Sequence, residues 1–359
     1  MRRFLRVAAV AVACAAALAA TGIFAAERYY TSQSGQGCAS CHEMTVFVSA
    51  MHGSAHRNRA CMECHTATLA TKLRHIRVHL LHAAPETIRL RDVDVLEMVP
   101  SCQSCHQREY ASWHAGPHSA NYQMIFANAK QNSRQHLMED CLRCHGMHFN
   151  GSVRELVQPQ NTTGPWRLVR QDLADKPSIP CLACHAVHSE GAPEVRPATR
   201  ISVANDPLHA SLAFFDRRES MNFAVATLAI PVLYDGARLV NVSLDPRAAI
   251  CYQCHAPRFP EAGTPAAAQG SRMQAGSGDD RTPMGVHEGL SCISCHTGHS
   301  ENARASCKTC HPQMSHCGLD VEKMDTTYAS ASSSHNIHWV RCTDCHQHGI
   351  PKPKPNALR

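Results

Sequence analysis

Large aromatic side chains are scarce in this sequence. Tryptophan, tyrosine and phenylalanine together make up 5% of its 359 residues. So few large rings argue against a conventional apolar core of the size that a chain of this length could bury. Something other than its own side chains must therefore supply much of the buried apolar material.

Cysteine is almost absent outside one repeated pattern. Of the 20 cysteines, only Cys14 and Cys317 lie outside nine copies of CxxCH. Runs of zinc sites and disulfide scaffolds also use paired cysteines, but a histidine directly after the second cysteine in all nine copies favours another chemistry. Two thiols that bond to a porphyrin, followed by a histidine that reaches its iron, are the signature of covalent c-type haem attachment. The sequence therefore predicts nine c-type haems.

The residues that would attach these haems follow directly from the motifs. The thioether cysteines are Cys38, Cys41, Cys61, Cys64, Cys102, Cys105, Cys141, Cys144, Cys181, Cys184, Cys251, Cys254, Cys292, Cys295, Cys307, Cys310, Cys342 and Cys345. The motif histidines, which would bind iron on one face, are His42, His65, His106, His145, His185, His255, His296, His311 and His346. We number the motifs one to nine in chain order.

Each haem iron also needs a ligand on its second face, and histidine is the most frequent choice. The sequence has 26 histidines, so many more are present than the motifs use. Two spacings recur: a histidine five residues before a motif, and a histidine three residues after a motif histidine, where the ring points toward a neighbouring haem. The candidate second ligands are His56, His79, His118, His136, His148, His188, His287, His299 and His338.

One group of these histidines belongs to a predicted helix. Residues 66–84 have the pattern of a single helix, and His75, His79 and His82 fall on one stripe of it. Such a stripe suits axial ligands that reach neighbouring haems. It also suits a polar face on which basic side chains meet haem propionates, and both interpretations stay open.

We expect a multihaem cytochrome c fold, mainly short α-helices and irregular loops wrapped around stacked haems. One small β-hairpin is predicted near residues 226–244, where two apolar runs flank Asp235-Gly236 and Pro231 confines its strand to an edge. This hairpin would cover haem faces or, as a second interpretation, dock a partner. The predicted divisions are a leader at 1–26, a two-haem region at 27–100, a three-haem region at 101–190, a haem-free insert at 191–250 and a four-haem region at 251–359.

The amino terminus predicts export. Arg2, Arg3 and Arg6 precede an uncharged, alanine-rich run at residues 7–26. This charge bias leaves the amino terminus in the cytoplasm and the rest of the chain in the bacterial periplasm. A cleaved signal peptide and an uncleaved inner-membrane anchor both fit the segment.

Residues 5–85 resemble the NapC/NirT family of membrane-anchored quinol dehydrogenases. The resemblance consists of CASCHEM at 38–44, SAH at 54–56 and CMECH at 61–65, with a basic helix after them. It implies an amino-terminal helix that stays in the membrane, quinol oxidation near the first haem, and Met44 as a ligand of the first iron. The chain departs from that family because it continues with five more haems than the usual four, and its remainder resembles, more loosely, multihaem cytochromes that carry electrons across the envelope.

Irons saturated by two protein ligands exchange electrons and do little else. The sequence therefore predicts a periplasmic electron-transfer protein between the membrane quinol pool and a downstream reductase or outer-membrane conduit. A reductase of the nitrite, hydroxylamine or tetrathionate kind, with one open haem, is an alternative, but the absence of a CxxCK motif and the surplus of histidines favour electron transfer over an enzyme. A cytochrome filament subunit is a third possibility.

The expected partners are a quinol or another inner-membrane electron donor and redox proteins. The formal net charge of +6 would suit nucleic acid, but each ferric haem adds about −1. Nine haems make the holoprotein acidic, so no nucleic-acid partner is expected.

Overall fold

Short helices and short strands, joined by irregular segments, make up most of the part of the chain that the structure describes. The computed structural model describes residues 2–31, 36–65, 77–78, 81, 91–132, 136–159, 162–188, 211–235, 237–255, 281–299, 306 and 338. Among these residues only the first helix, with 29 residues, is longer than eight. The expectation of short helices is confirmed.

The α-helices are α1 (Arg2–Tyr30), α2 (Gln36–Ala39), α3 (Thr45–His52), α4 (Cys61–Cys64), α5 (Asp92–Glu97), α6 (Val99–Cys105), α7 (Gln107–His114), α8 (Tyr122–Phe126), α9 (Ala129–Asn132), α10 (Cys141–His145), α11 (Val153–Leu156) and α12 (Pro246–Tyr252). Turns of 3-10 helix cover His42–Met44, Pro117–Ser119, Gln171–Leu173, Cys181–Ala183, Val225–Thr227, Gly285–His287 and Cys292–Ser294. The strands are β1 (Val157–Gln158), β2 (Arg167–Leu168), β3 (Ala213–Asp216), β4 (Met221–Ala224), β5 (Tyr234–Asp235) and β6 (Arg238–Leu239).

The chain divides into two compact units. The amino-terminal unit comprises Met1–Cys105 and Val187–Ala192, and the carboxy-terminal unit comprises His106–Ala186 and Pro193–Arg359.

Helix α1 belongs to the amino-terminal unit and is exposed along its described length. Its Arg3–Tyr30 segment is long and apolar enough to cross a membrane, judged by length and composition alone, and a signal sequence would pass the same test. Both interpretations of the leader therefore remain. Of the helix predicted over 66–84, only residues 77–78 and 81 are described, and all three are helical.

Three antiparallel two-stranded sheets lie in the carboxy-terminal unit, where the sequence predicted one hairpin. The predicted hairpin is present but shorter than 226–244, with Tyr234 opposite Leu239. Its apolar flanks do not extend the strands, because Leu228 and Val240 are buried in hydrophobic clusters.

The longer hairpin, β3–β4, was not predicted. Phe214 pairs with Phe223 across its strands, and both rings are buried. Cross-strand aromatic pairs of this kind stabilise a sheet. The hairpin also extends toward the fifth motif, because the Ala213 amide donates to the Cys184 carbonyl at 3.1 Å.

Two buried clusters surround helix α12, which carries the first cysteine of the sixth motif. The first cluster consists of Met147, Ala183, Phe214, Phe223, Leu228 and Ala249, with Cys184 and Cys254 packed against it. The second cluster consists of Val240, Val242, Ala248 and Tyr252, with Cys292 packed against it. Because Ala248 and Ala249 are adjacent in α12, its two sides face different clusters.

Candidate haem-binding sites

Four of the described CxxCH motifs, the second, fifth, sixth and seventh, share one backbone hydrogen bond. The amide of the motif histidine donates to the carbonyl of the first cysteine, at 2.9 Å for His65, 3.1 Å for His185, 2.7 Å for His255 and 2.8 Å for His296. A turn of this kind brings residues i, i+3 and i+4 to one side of the backbone. Two thiols and one imidazole thus face the same space, which is the arrangement that haem attachment requires.

Four histidines outside the motifs lie opposite four motif histidines. The ring centroids are 6.0 Å apart for His185 and His299, and 6.2 Å apart for His296 and His338. They are 6.1 Å apart for His118 and His255. We call these, with the pair described next, the imidazole pairs.

The remaining imidazole pair lies in the amino-terminal unit. His188 follows the fifth motif in sequence, yet its ring centroid lies 5.8 Å from that of His65, the histidine of the second motif. Phe47 contacts the same ring edge-on at 6.0 Å. The histidine three residues after a motif histidine thus lies beside a different motif, as it does for His299 beside His185.

The spacing of the imidazole pairs fits one iron between two rings. A metal–imidazole bond is about 2 Å long, so two rings that bind one iron from opposite faces have centres roughly 6 Å apart. This separation matches all four pairs. The donor set is also suitable, since neutral imidazole is a common axial ligand of haem iron.

Burial favours the neutral form of two rings of the imidazole pairs, those of His188 and His118. It lowers the pKa of His188 to about 4, with further lowering by His65 and His56. Burial likewise lowers the pKa of His118 to about 4, with His255 and Arg281 adding to the effect. As a whole residue, His118 is nevertheless exposed. A neutral ring has a lone pair on one nitrogen, which is the form that binds iron.

Nδ1 of His188 and Nε2 of His148 are buried ring nitrogens without a hydrogen-bond partner. Burial lowers the pKa of His148 to about 4, although a hydrogen bond with the Leu182 backbone acts in the opposite direction. The His148 ring also stacks on Phe215 at 4.0 Å. Because an orphaned buried nitrogen is costly, both atoms fit ligands of a bound metal.

The fifth motif shows how a second residue orients a ligand. His185 Nδ1 lies 3.0 Å from Ser211 Oγ. The Ala186 amide donates to the Ser211 carbonyl at 2.8 Å, which fixes the serine beside the motif. A hydrogen bond at one ring nitrogen leaves the other for the metal. No pattern in the sequence pointed to this serine, which lies 26 residues from the histidine.

Other predicted ligands are not members of the imidazole pairs. His42 is exposed, with its Nε2 3.2 Å from Glu43 Oε1, and Met44 is half-buried in the same 3-10 turn. His56 is half-buried, and His287 is half-buried in the turn before the seventh motif. His136 is exposed and its backbone forms a β-bridge with Thr163. The motif histidines His106 and His145 are exposed. The candidates that lie outside the described residues are His79, Cys307, Cys310, His311, Cys342, Cys345 and His346.

Cysteines of different motifs adjoin one another. Side-chain hydrogen bonds link Cys38 of the first motif to Cys61 of the second, and Cys251 of the sixth to Cys292 of the seventh. Another links Cys144 of the fourth motif to Cys254. The fourth, sixth and seventh attachment sites are therefore direct neighbours in the carboxy-terminal unit.

Comparison with known proteins gives one match. Residues 33–197 match the family model described as outer membrane cytochrome MtrC/MtrF-like, domains II/IV. The matched segment is less than half of the chain and contains the first five motifs. Searches of curated proteins and of solved structures found no match. The resemblance to the NapC/NirT family stays a prediction. The matched family and the nine motifs agree that this chain is a multihaem c-type cytochrome with covalently bound haems.

Proposed function

We propose that this protein is an electron carrier of the bacterial cell envelope. It would take electrons from the quinol pool of the inner membrane and pass them to a downstream reductase or an outer-membrane conduit. The matched family supports electron transfer in general and is described as an outer membrane cytochrome. The periplasmic location, the quinol donor and the number of nine haems are parts of the proposal.

The imidazole pairs are the observation that carries the proposal. Each haem, when bound, supplies an iron that alternates between the ferrous and ferric states. In each pair the motif histidine would hold this iron from one side and the second histidine would hold it from the other. An iron with both positions filled by protein has no position for a substrate, which favours electron transfer over catalysis.

The contacts between motifs support passage of electrons along the chain. Asp245, at the amino end of α12, accepts a hydrogen bond from Ser291 Oγ at 2.9 Å, and Ser291 directly precedes the seventh motif. This bond joins the sixth and seventh attachment sites, and the proximity of Cys251 to Cys292 and of Cys144 to Cys254 brings the fourth site beside them. Adjacent sites shorten the distance over which electrons would be exchanged.

The amino-terminal unit supplies the proposed membrane contact. Helix α1 is exposed and apolar, and the first motif begins eight residues after its end. An anchored α1 would hold the first haem near the membrane surface, where quinol is oxidised in the family that residues 5–85 resemble. Met44, which follows the first motif histidine by two residues, is the proposed second ligand there.

Paired variants test the coordination. His118→Ala should convert one iron from low-spin to high-spin in low-temperature EPR, because it removes the partner of His255. His114→Ala is the matched control: this ring lies four residues earlier, is exposed and stacks on Tyr110 at 5.5 Å. Equal spectra of the two variants would contradict the proposed pairing.

A stoichiometric high-spin iron in the unaltered protein that binds nitrite or hydroxylamine would favour the reductase interpretation.

Membrane fractionation, intact mass and reaction with a quinol analogue test the remaining parts of the proposal. The protein should stay in the membrane fraction with its amino terminus intact, carry nine haems by intact mass, and be reduced by a quinol analogue in detergent. A soluble form that lacks residues 7–26 and does not react with the quinol analogue would contradict the quinol donor without affecting the coordination.

A further inference from the structure

An unusual arginine lies inside the fourth motif. Arg143 stands between Cys141 and Cys144, and its side chain is 5% exposed. Its Nε and Nη1 atoms are buried and have no hydrogen-bond partner. Among the buried polar residues that the structure describes, this is the one arginine.

A buried guanidinium without an acceptor is strongly unfavourable. Arginine stays protonated in proteins, so it cannot relieve burial by losing its charge. Leaving such a charge uncompensated costs several kcal/mol, which is more than most single contacts contribute. The folded protein therefore needs an anion at this position.

The nearest acidic residue in sequence does not serve as that anion. Asp140 Oδ1 accepts instead from Arg218 Nη2 at 2.6 Å. The neighbouring Leu142 is fully buried. Cys254 of the sixth motif lies close by, because its thiol is hydrogen-bonded to that of Cys144, the residue after Arg143. Two haem attachment sites therefore adjoin the guanidinium.

We propose that Arg143 binds the carboxylate of a haem propionate. Each c-type haem has two propionates, on the edge of the porphyrin opposite the one that the cysteines hold, so the carboxylate would come from a neighbouring haem whose propionate edge faces Arg143. The planar fork of a guanidinium matches a carboxylate with two parallel hydrogen bonds. Arg143 is then a positioning residue that also raises the reduction potential of that haem, because a nearby cation favours the ferrous state. This role does not depend on the electron donor or acceptor proposed above.

Three variants of the holoprotein test the proposal. Arg143→Met removes the charge and keeps most of the apolar volume. Arg143→Lys keeps the charge but removes the fork. Arg154→Met is the control, because Arg154 lies in α11 of the same unit and is exposed. The measurements are haem content by intact mass, a spectroelectrochemical redox titration, and the propionate bands in resonance Raman spectra.

The expected result is specific to Arg143. In Arg143→Met one haem potential should fall, the propionate bands should change and the thermal midpoint should drop, while haem content is retained and Arg154→Met matches the unaltered protein. Should Arg143→Met not accumulate, altered propionate bands in Arg143→Lys would support the pair and unchanged bands would overturn it.

Two other outcomes overturn the proposal. Removing a buried charge that has no partner stabilises a protein, so a higher thermal midpoint of Arg143→Met with unchanged potentials would show that no anion is bound. A free anion from solution is the remaining source of the negative charge beside Arg143. If acetate changes the potentials of dialysed unaltered protein but not those of Arg143→Met, the site binds small carboxylates and not a propionate.

Discussion

The two units hold their haem-attachment motifs in different ways. Among the described residues, the buried apolar side chains of the amino-terminal unit are Met51, Val95, Leu96 and Val99, and this unit has no strand. The carboxy-terminal unit has three small sheets and two buried clusters, with cysteines of the fifth, sixth and seventh motifs packed against those clusters. Motif residues are thus part of a protein core in one unit, whereas in the other the haems must supply most of the apolar contacts.

The largest expected effect comes from removing haems in the two units. In Cys251→Ser with Cys254→Ser, the sixth haem is lost and a core position becomes polar, so we expect little or no holoprotein. Cys61→Ser with Cys64→Ser removes the second haem from helix α4, which buries no residue. That protein should accumulate with one haem fewer, as measured by intact mass and haem-stained gels. Equal accumulation of both variants would mean that the clusters do not depend on the sixth motif.

Single substitutions of buried side chains should show the same contrast between the two units, with smaller losses of stability. Phe214→Ala removes a ring that is 2% exposed from the first cluster. We expect it to lower the free energy of unfolding by about 3–5 kcal/mol. Met51→Ala, at the one buried position of α3, should cost about 2 kcal/mol. Chemical denaturation followed by circular dichroism measures both, and a larger loss at Met51 would reverse the comparison.

Local features of the site could be predicted from sequence, whereas long-range ones could not. The CxxCH turn depends on a hydrogen bond over four residues, such as the one from His65 to Cys61, so the motif itself specifies it. The pairing of His118 with His255 depends instead on how distant segments pack. The motif identified His255 and the sequence after the third motif offered His118 as a candidate, but neither could say that the two would meet.

The missed hairpin has a similar explanation. Strands β3 and β4 are joined by Arg217–Ser220, which contains neither glycine nor asparagine, and Ser220 adopts a φ of 55°. Serine at a positive φ is uncommon, so no turn signal marked the hairpin. Tertiary contacts stabilise the turn: Arg217 donates to the carbonyls of Phe149 and Gly151. Burial of Arg143 was equally hidden, since arginine is usually exposed.

A smaller effect is expected at the amino end of α12. Asp245 accepts hydrogen bonds from the Arg247 amide at 3.0 Å and from Ser291 Oγ at 2.9 Å, and its side chain is 11% exposed. Asp245→Ala removes this cap and the link to the seventh motif, so unfolding should become easier by about 1–2 kcal/mol. Denaturant titrations at pH 7 measure the loss.

The same residue predicts a pH dependence. Burial would raise the pKa of Asp245, but hydrogen bonds from Arg247 and Ser291 outweigh it and hold the pKa below its ordinary value. A carboxylate whose pKa is lowered by folding stabilises the protein above its unfolded pKa, about 4, and this stabilisation is lost as the pH falls through the folded pKa. The difference between the unaltered protein and Asp245→Ala should therefore shrink below about pH 4. A difference that stays constant there would assign the stabilisation to packing alone.

The smallest effect should come from an aspartate near the start of a helix in the amino-terminal unit. Asp94 lies in the first turn of α5 and accepts from Arg91 Nε at 2.8 Å. The pair lies at the surface, with the arginine side chain 49% exposed, so water and salt weaken the attraction. Asp94→Asn keeps the shape of the side chain and should change the free energy of unfolding by less than about 0.5 kcal/mol. In the same denaturant titrations, a loss as large as that of Asp245→Ala would mean that surface ion pairs, and not only haem contacts, stabilise the amino-terminal unit.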